Sequence, residues 1–301
     1  MDYVSDVSYK VYIAMNYKIN IKVFLLLLLV CISYGSLQAQ SSLPPFKKGE
    51  RVVFVGNSIT HGGHYHSFIW LYYMTRFPSK PITVINAGIG GESAWDIKDR
   101  LDYDVFNRKP TYVTLTFGMN DTGYDIYWKD NAKELSEQQV EKSLESYREI
   151  EKRLLAEEKV TKVLIGGSPY DETTKLNFFN LPNKNQAILK IIDVQRSSAK
   201  KNNWGFVDFN EPMRKINLEE QRKDSTFTFC RVDRIHPDND GQMVMAYLFL
   251  KAQGLAGKEV ADVSIDAEYS KVISQKNCKI SKLKKDGNDV SFNYLAYALP
   301  Y

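Results

Sequence analysis

This sequence predicts an α/β fold, three layers with a five-stranded parallel sheet between helices, followed by a short β-rich C-terminal segment. Five short β-branched or aromatic runs each end near Gly, Asn or Asp. Helical patterns separate those runs, and strands that alternate with helices pair in parallel, with both sheet faces covered. After Gly254 the alternation stops and hairpin chemistry takes over.

The strand runs are Arg51 to Val55, Ile82 to Asn86, Tyr112 to Phe117, Lys162 to Gly166 and Gly205 to Phe209. Ile59 and Thr60 open a helix after the first. Trp70, Tyr72 and Tyr73 sit in a helical stretch and read as core. The clearest helix runs from Glu137 to Glu158, where Val140, Leu144, Tyr147 and Leu154 share one face. Ser136 with Gln139 fits a capping box at its start. A last helix covers Asp238 to Gln253. Lys279 to Lys284 and Val290 to Tyr297 then flank Asp286-Gly287, the pattern of a hairpin around a type I′ turn.

The 301 residues are 44% hydrophobic and 25% charged, the composition of a globular protein with an ample core. The net charge of +4 comes with no concentrated basic stripe, so nucleic-acid binding has no electrostatic footprint. Near the N-terminus, Lys18 and Lys22 precede an apolar run from Val23 to Ile32, followed by small residues up to Ala39. A basic start and a run too short to span a bilayer read as a signal peptide over residues 1–39, cut after Ala39, with Met15 an alternative start. The expected product is secreted or periplasmic, with no stable membrane insertion after signal removal. Lipoprotein anchoring at Cys31 is disfavoured, because bulky Val30 stands where a small residue is expected. Cys230 and Cys278 remain in the mature chain, either paired or as two small hydrophobes. The domain reading is a main α/β unit over 40–256 and a β-rich extension over 257–301, the start of a further module if the chain continues.

Four blocks carry chemistry: Gly56-Asn57-Ser58-Ile59-Thr60, Asn86-Ala87-Gly88-Ile89-Gly90-Gly91, Gly118-Met119-Asn120-Asp121 and Asp233-Arg234-Ile235-His236-Pro237. Three follow predicted strands, where a parallel sheet carries its functional loops. A serine needs an adjacent base to act as a nucleophile, and the oxyanion it creates needs preset donors. Asp233 and His236, three apart, supply a base and a carboxylate that fixes its tautomer. Taken singly, Ser58 is a helix cap, the glycines serve a turn, and Asn120 is a turn residue. There is no G-x-S-x-G elbow, which argues against an α/β-hydrolase.

In their order and strand context the blocks resemble those of the SGNH hydrolases, the GDSL lipase/esterase superfamily, from about Arg51 to Gly254. The resemblance implies a flavodoxin-like sheet. It makes Ser58 the nucleophile, His236 the base and Asp233 its orienting partner. It selects the backbone N–H groups of Ser58 and Gly91, together with the Asn120 amide, as the oxyanion hole. One letter departs: Asn57 stands where the family has Asp, keeping size and acceptor oxygen but losing the charge.

His61, His64 and His66 crowd the segment after Ser58, yet no H-E-x-x-H pattern or nearby Cys or carboxylate at ligand spacing accompanies them. They are expected at the pocket mouth or facing solvent, and neither metal nor cofactor is called for. His61, Tyr124 and Trp128 are candidate substrate contacts, with Tyr124, Tyr127 and Trp128 a candidate wall for a sugar ring or, equally, packing. The expected function is a secreted serine esterase removing short acyl groups, acetyl above all, from carbohydrate, with a small-molecule or polysaccharide ester as its partner. The alternatives are a lipase or lysophospholipase of the same superfamily, and a catalytically weakened carbohydrate-binding relative.

Overall fold

The computed structural model describes residues 43–299. The signal-peptide reading and Cys31 lie outside them. Five strands form one parallel sheet: β1 (Arg51–Gly56), β2 (Thr83–Gly88), β3 (Tyr112–Phe117), β4 (Thr161–Gly166) and β5 (Gly205–Asp208), in the order β2-β1-β3-β4-β5. The helices are α1 (Ser58–His61), α2 (His64–Arg76), α3 (Ala94–Arg100), α4 (Ala132–Leu155), α5 (Lys184–Lys201), α6 (Asn210–Glu220) and α7 (Asn239–Ala252).

Alternation along the buried strands divides the core. Val52 and Phe54 of β1 face α2 and α7, where Tyr65, Ile69, Tyr73 and Phe249 close one cluster. Val53 and Val55 face the other way, against Ile97 of α3 and Tyr147, Ile150 and Leu154 of α4. Helix α5 serves both clusters, with Ile188 and Ile192 in the first and Ala187 and Ile191 in the second. The three-layer prediction holds. β2 and β3 flank β1 on opposite sides, so the strand order reverses there, the point at which an open α/β sheet carries its crevice outside the carboxyl ends.

Several local expectations change. Helix α4 starts at Ala132 rather than Glu137, so Ser136 lies inside it and caps nothing. The capping box belongs instead to Ser93 and Asp96 at the start of α3. Trp70 is 43% exposed, while Tyr72 and Tyr73 are buried as expected. His66 does not face solvent: two residues beyond His64 it lies about 200° round the helix, on the inner face, stacked on Phe54. His66 Nε2 is 3.2 Å from Thr60 O, and burial pushes the ring down to about 4.

The β-rich segment holds two antiparallel pairs, β6 (Asp262–Asp266) with β7 (Lys271–Lys276) and β8 (Cys278–Asp286) with β9 (Asp289–Ala296). The first pair was not expected. The β8–β9 loop is Gly287-Asn288, with positive φ at Gly287 alone, the pattern of a type II′ turn rather than type I′. The segment is tied to α2 where Leu299 N–H donates to Thr75 O and Arg76 donates to Lys258 O and Glu259 O. Cys230 and Cys278 are both buried and unpaired.

His66 makes the fold acid-sensitive. Below its ordinary pKa of 6.5 the unfolded chain takes up a proton that the folded ring refuses until about 4, so stability falls as pH drops through that window. His66→Phe keeps the stack and removes the proton site. Urea denaturation at fixed pH should show a smaller loss between pH 6.5 and 4 than in the parent. Equal losses would clear His66 of the effect.

Candidate active site

Ser58 is the first residue of α1, at the end of β1. Asn57 caps that helix, its Oδ1 accepting from Ile59 N–H at 3.1 Å, so the chain turns into the helix and leaves Ser58 at the carboxyl end of the central strands. Helix α1 rests on the end of β2, where a Cβ on Gly88 would lie 2.3 Å from His61 N. Only glycine fits there. Asn86 completes the junction by donating to His61 O and accepting from Gly88 N–H.

From the far end of the chain, the loop before α7 brings His236 Nε2 within 2.8 Å of Ser58 Oγ. His236 Nδ1 is 2.7 Å from Asp233 Oδ2. Asp233 Oδ1 also accepts from the N–H groups of Ile235 and His236. Burial alone would raise this carboxyl, but those three hydrogen bonds outweigh it and hold it at about 2. An ionised Asp233 only accepts, so Nδ1 carries the proton and Nε2 is left as acceptor for the serine O–H. His236 and Asp233 are 36% and 31% exposed, so the relay opens to solvent on one side.

Arg234 lies between them in the left-handed region, φ +65°, buried and pointing away. Its guanidinium donates to the carbonyls of Asp171, Thr174, Leu176, Phe178 and Phe179, fastening the loop after β4 to the histidine loop.

The candidate anion donors lie on Ser58 itself and on the loops that follow β2 and β3. Ser58 N–H, first in its helix, has no helical carbonyl to bond. Gly91, with φ +83°, has an N–H without a partner among the described residues, whereas Gly90 N–H is spent on His61 Nδ1 at 3.2 Å. The Asn120 amide donates once, to Glu92 O at 2.8 Å, and accepts at Oδ1 from the Tyr124 hydroxyl at 2.7 Å. Tyr124 and Tyr127 pack on Lys184, 4.0 and 5.6 Å from its Nζ. Trp128 is 58% exposed and meets Phe179 edge to face.

Two buried charges missed by the sequence reading hold these loops. Asp121 accepts from Gly118 N–H, Ala94 N–H and Ser143 Oγ–H, joining the end of β3 to α3 and α4. Arg100, 2% exposed, pairs with Glu92 and Asp104 and donates to Ala87 O at 2.8 Å. Asp121 stood in the third block but had no role to signal; Arg100 had no motif at all. Among the described residues no group of three or more His, Cys, Asp or Glu is placed to hold a metal ion.

The GDSL-like lipase/acylhydrolase family model matches residues 54–244. An acetylxylan esterase of Geobacillus stearothermophilus is 26% identical over 231 residues, 68% of this chain and 94% of that one. Its crystal structure superposes with a TM-score of 0.56 at 23% identity, over 69% of this chain and 95% of that one. Other structures of it are catalytic mutants with a serine, a histidine or an aspartate changed to alanine. A gut microbial diltiazem-metabolizing enzyme superposes with a TM-score of 0.84 at 54% identity over 86% of this chain. This chain spans 59% of that enzyme's length.

Arg100→Met would leave Glu92 and Asp104 without their buried cation. Urea denaturation at pH 7 should show a loss of about 3 kcal/mol or more. A loss within 0.5 kcal/mol, roughly that of an ordinary surface change, would show that the pair is not what holds the strand ends.

Proposed function

The chain belongs to the GDSL-like lipase/acylhydrolase family, and from that premise we propose that it is an exported serine carboxylic-ester hydrolase acting on short acyl esters, principally acetyl groups on carbohydrate. The observation that carries this reading is the relay from Ser58 Oγ through His236 to Asp233, with both contacts at hydrogen-bond distance. In it, Ser58 Oγ attacks the ester carbonyl while its proton passes to His236 Nε2. Asp233 stabilises the imidazolium and holds its ring. The N–H groups of Ser58 and Gly91 and the second N–H of Asn120 receive the oxyanion. Collapse expels the alcohol, which takes the proton from His236, and a water activated by the same nitrogen then releases the acid and restores the serine. The catalytic serine, histidine and aspartate of the acetylxylan esterase support these roles.

Acetyl on carbohydrate rests on that esterase's name and on export, itself read from the N-terminal run. Among the described residues no helix is long and apolar enough to cross a membrane. A second substrate reading, esters on compact aromatic molecules, is favoured by the 54% identical diltiazem-metabolizing relative. Incubating the protein with acetylated xylooligosaccharides and with diltiazem, and following released acetate and loss of the drug, decides between them. Neither consumed would sink both.

Ser58→Ala and His236→Ala should each abolish hydrolysis of a short-chain nitrophenyl ester with the fold intact by circular dichroism, since the pair acts as a unit. Near-native turnover in either would end the assignment. Asn120→Ala should lower kcat by a barrier of about 2–4 kcal/mol with KM little changed, because its charge partner exists only in the transition state. Asn57→Asp should alter kcat only a few-fold, since Asn57 Oδ1 already makes the cap to Ile59. A hundredfold gain, about 2.7 kcal/mol off the barrier, would instead mean that the missing charge had weakened the enzyme.

A further inference from the structure

Tyr124 does something the sequence reading did not foresee. Its hydroxyl donates to Asn120 Oδ1 at 2.7 Å, while Glu92 O takes one hydrogen of Nδ2 at 2.8 Å. The amide is thereby held at both ends, and the Glu92 end settles its orientation, because exchanging O and N would set Oδ1 against the Glu92 carbonyl, acceptor against acceptor. One N–H of Nδ2 is left without a partner among the described residues. The Tyr124 ring is fixed in turn. Lys184, fully buried at the start of α5, sets its Nζ 4.0 Å over the ring centroid. Its three hydrogens go to Met119 O, Thr122 Oγ1 and Gly123 O, at 2.8, 2.8 and 2.5 Å. Those acceptors bracket Asn120 in the chain. An ammonium buried this deeply is costly unless every hydrogen is bonded, so any drift of residues 119–123 would strand a donor. Burial pushes Lys184 down to about 7, with Asp121 acting against it.

We propose that Tyr124 is a positioning residue for hydrolysis: held under the Lys184 ammonium, it turns the Asn120 amide so that its free N–H points at the developing oxyanion. The inference rests on the reading of Asn120 as an oxyanion donor. Tyr124 stays out of the reaction itself and acts through Asn120, which separates it from a wall residue that touches substrate. A donor fixed before the reaction loses nothing to reorientation in the transition state, which is where such donors gain their effect.

Tyr124→Phe removes one hydroxyl and keeps the ring under Lys184, so folding is not at stake. The test is a double-mutant cycle on nitrophenyl acetate hydrolysis with the parent, Tyr124→Phe, Asn120→Ala and the double variant. Tyr124→Phe should lower kcat about tenfold, a misplacement effect, with KM within about twofold of the parent. In the Asn120→Ala background the same change should move kcat by less than about twofold, because the group it positions is gone. Equal losses in both backgrounds, a rise in KM with kcat unchanged, or no loss in the parent background would each overturn the proposal. A parent-like Asn120→Ala would instead refute the oxyanion reading, and that single variant shows it independently of Tyr124.

Discussion

Helix α3 ties the loop that follows β2 to the loop that follows β3, the two that carry Gly91 and Asn120. Its first N–H donates to Asp121, which also holds Gly118 N–H at the end of β3. Its last residue, Arg100, reaches back to Ala87 O near the end of β2, and its pairing with Glu92 steadies the residue whose carbonyl receives the Asn120 amide. Both charges are buried, and a buried charge tolerates few arrangements, because each lost partner exposes a desolvation cost of several kcal/mol, roughly the whole margin of a small domain's stability. The crevice therefore has fixed walls even though it opens to solvent. Rigid walls are what the proposed oxyanion site requires, since donors that must reorient stabilise less.

The histidine reaches this crevice by other means. Ser58 and His236 are held on opposite sides of the long chain path, and the loop carrying His236 has no strand of the main sheet beneath it. Arg234 takes over that function: its five carbonyl contacts bind the loop after β4, and its own carbonyl accepts from Asp171 N–H. Asp171 in turn accepts from Asn217 and Gln221, so the anchor extends to α6 and beyond its end. This polar, hydrogen-bonded support fixes the loop from one side, while Ile235, next to the histidine, packs into the first core cluster.

What was legible in the sequence follows from what is local. Strand runs show as β-branched stretches ending at Gly or Asn because edge geometry is written in neighbouring residues, and all five were found to within two residues at either end. The four blocks were legible for the same reason. Burial of single polar residues was not. Nothing near Arg100 or Lys184 in sequence says that a guanidinium or an ammonium goes inside, since each is satisfied by carbonyls and carboxylates that only the tertiary fold supplies. Ser136 fits the capping pattern yet sits in the second turn of a longer helix, where propensity carried the start back to Ala132. His66 was read with His61 and His64 as one group, though helical phase divides them. Tyr124 was read as a wall because exposed and half-buried rings look alike in sequence.

The last block shows how spacing and backbone handedness combine. Asp233 and His236 are three residues apart, and between them Arg234 adopts φ +65° while Ile235 goes inside. A residue other than glycine in that region costs about 1 kcal/mol or more, and the guanidinium contacts that Arg234 makes offset it. The left-handed step folds the Asp233 carboxylate back over its own chain, so that one oxygen takes the N–H groups of Ile235 and His236 and the other faces the ring. The carboxylate is thus bound by the backbone of the same turn that presents the histidine. Its position relative to Nδ1 is set locally, within four residues, and it moves with the histidine if the loop shifts. Only the distance from Nε2 to Ser58 depends on long-range packing, and that is the distance that Arg234 and Asn57 control from its two ends.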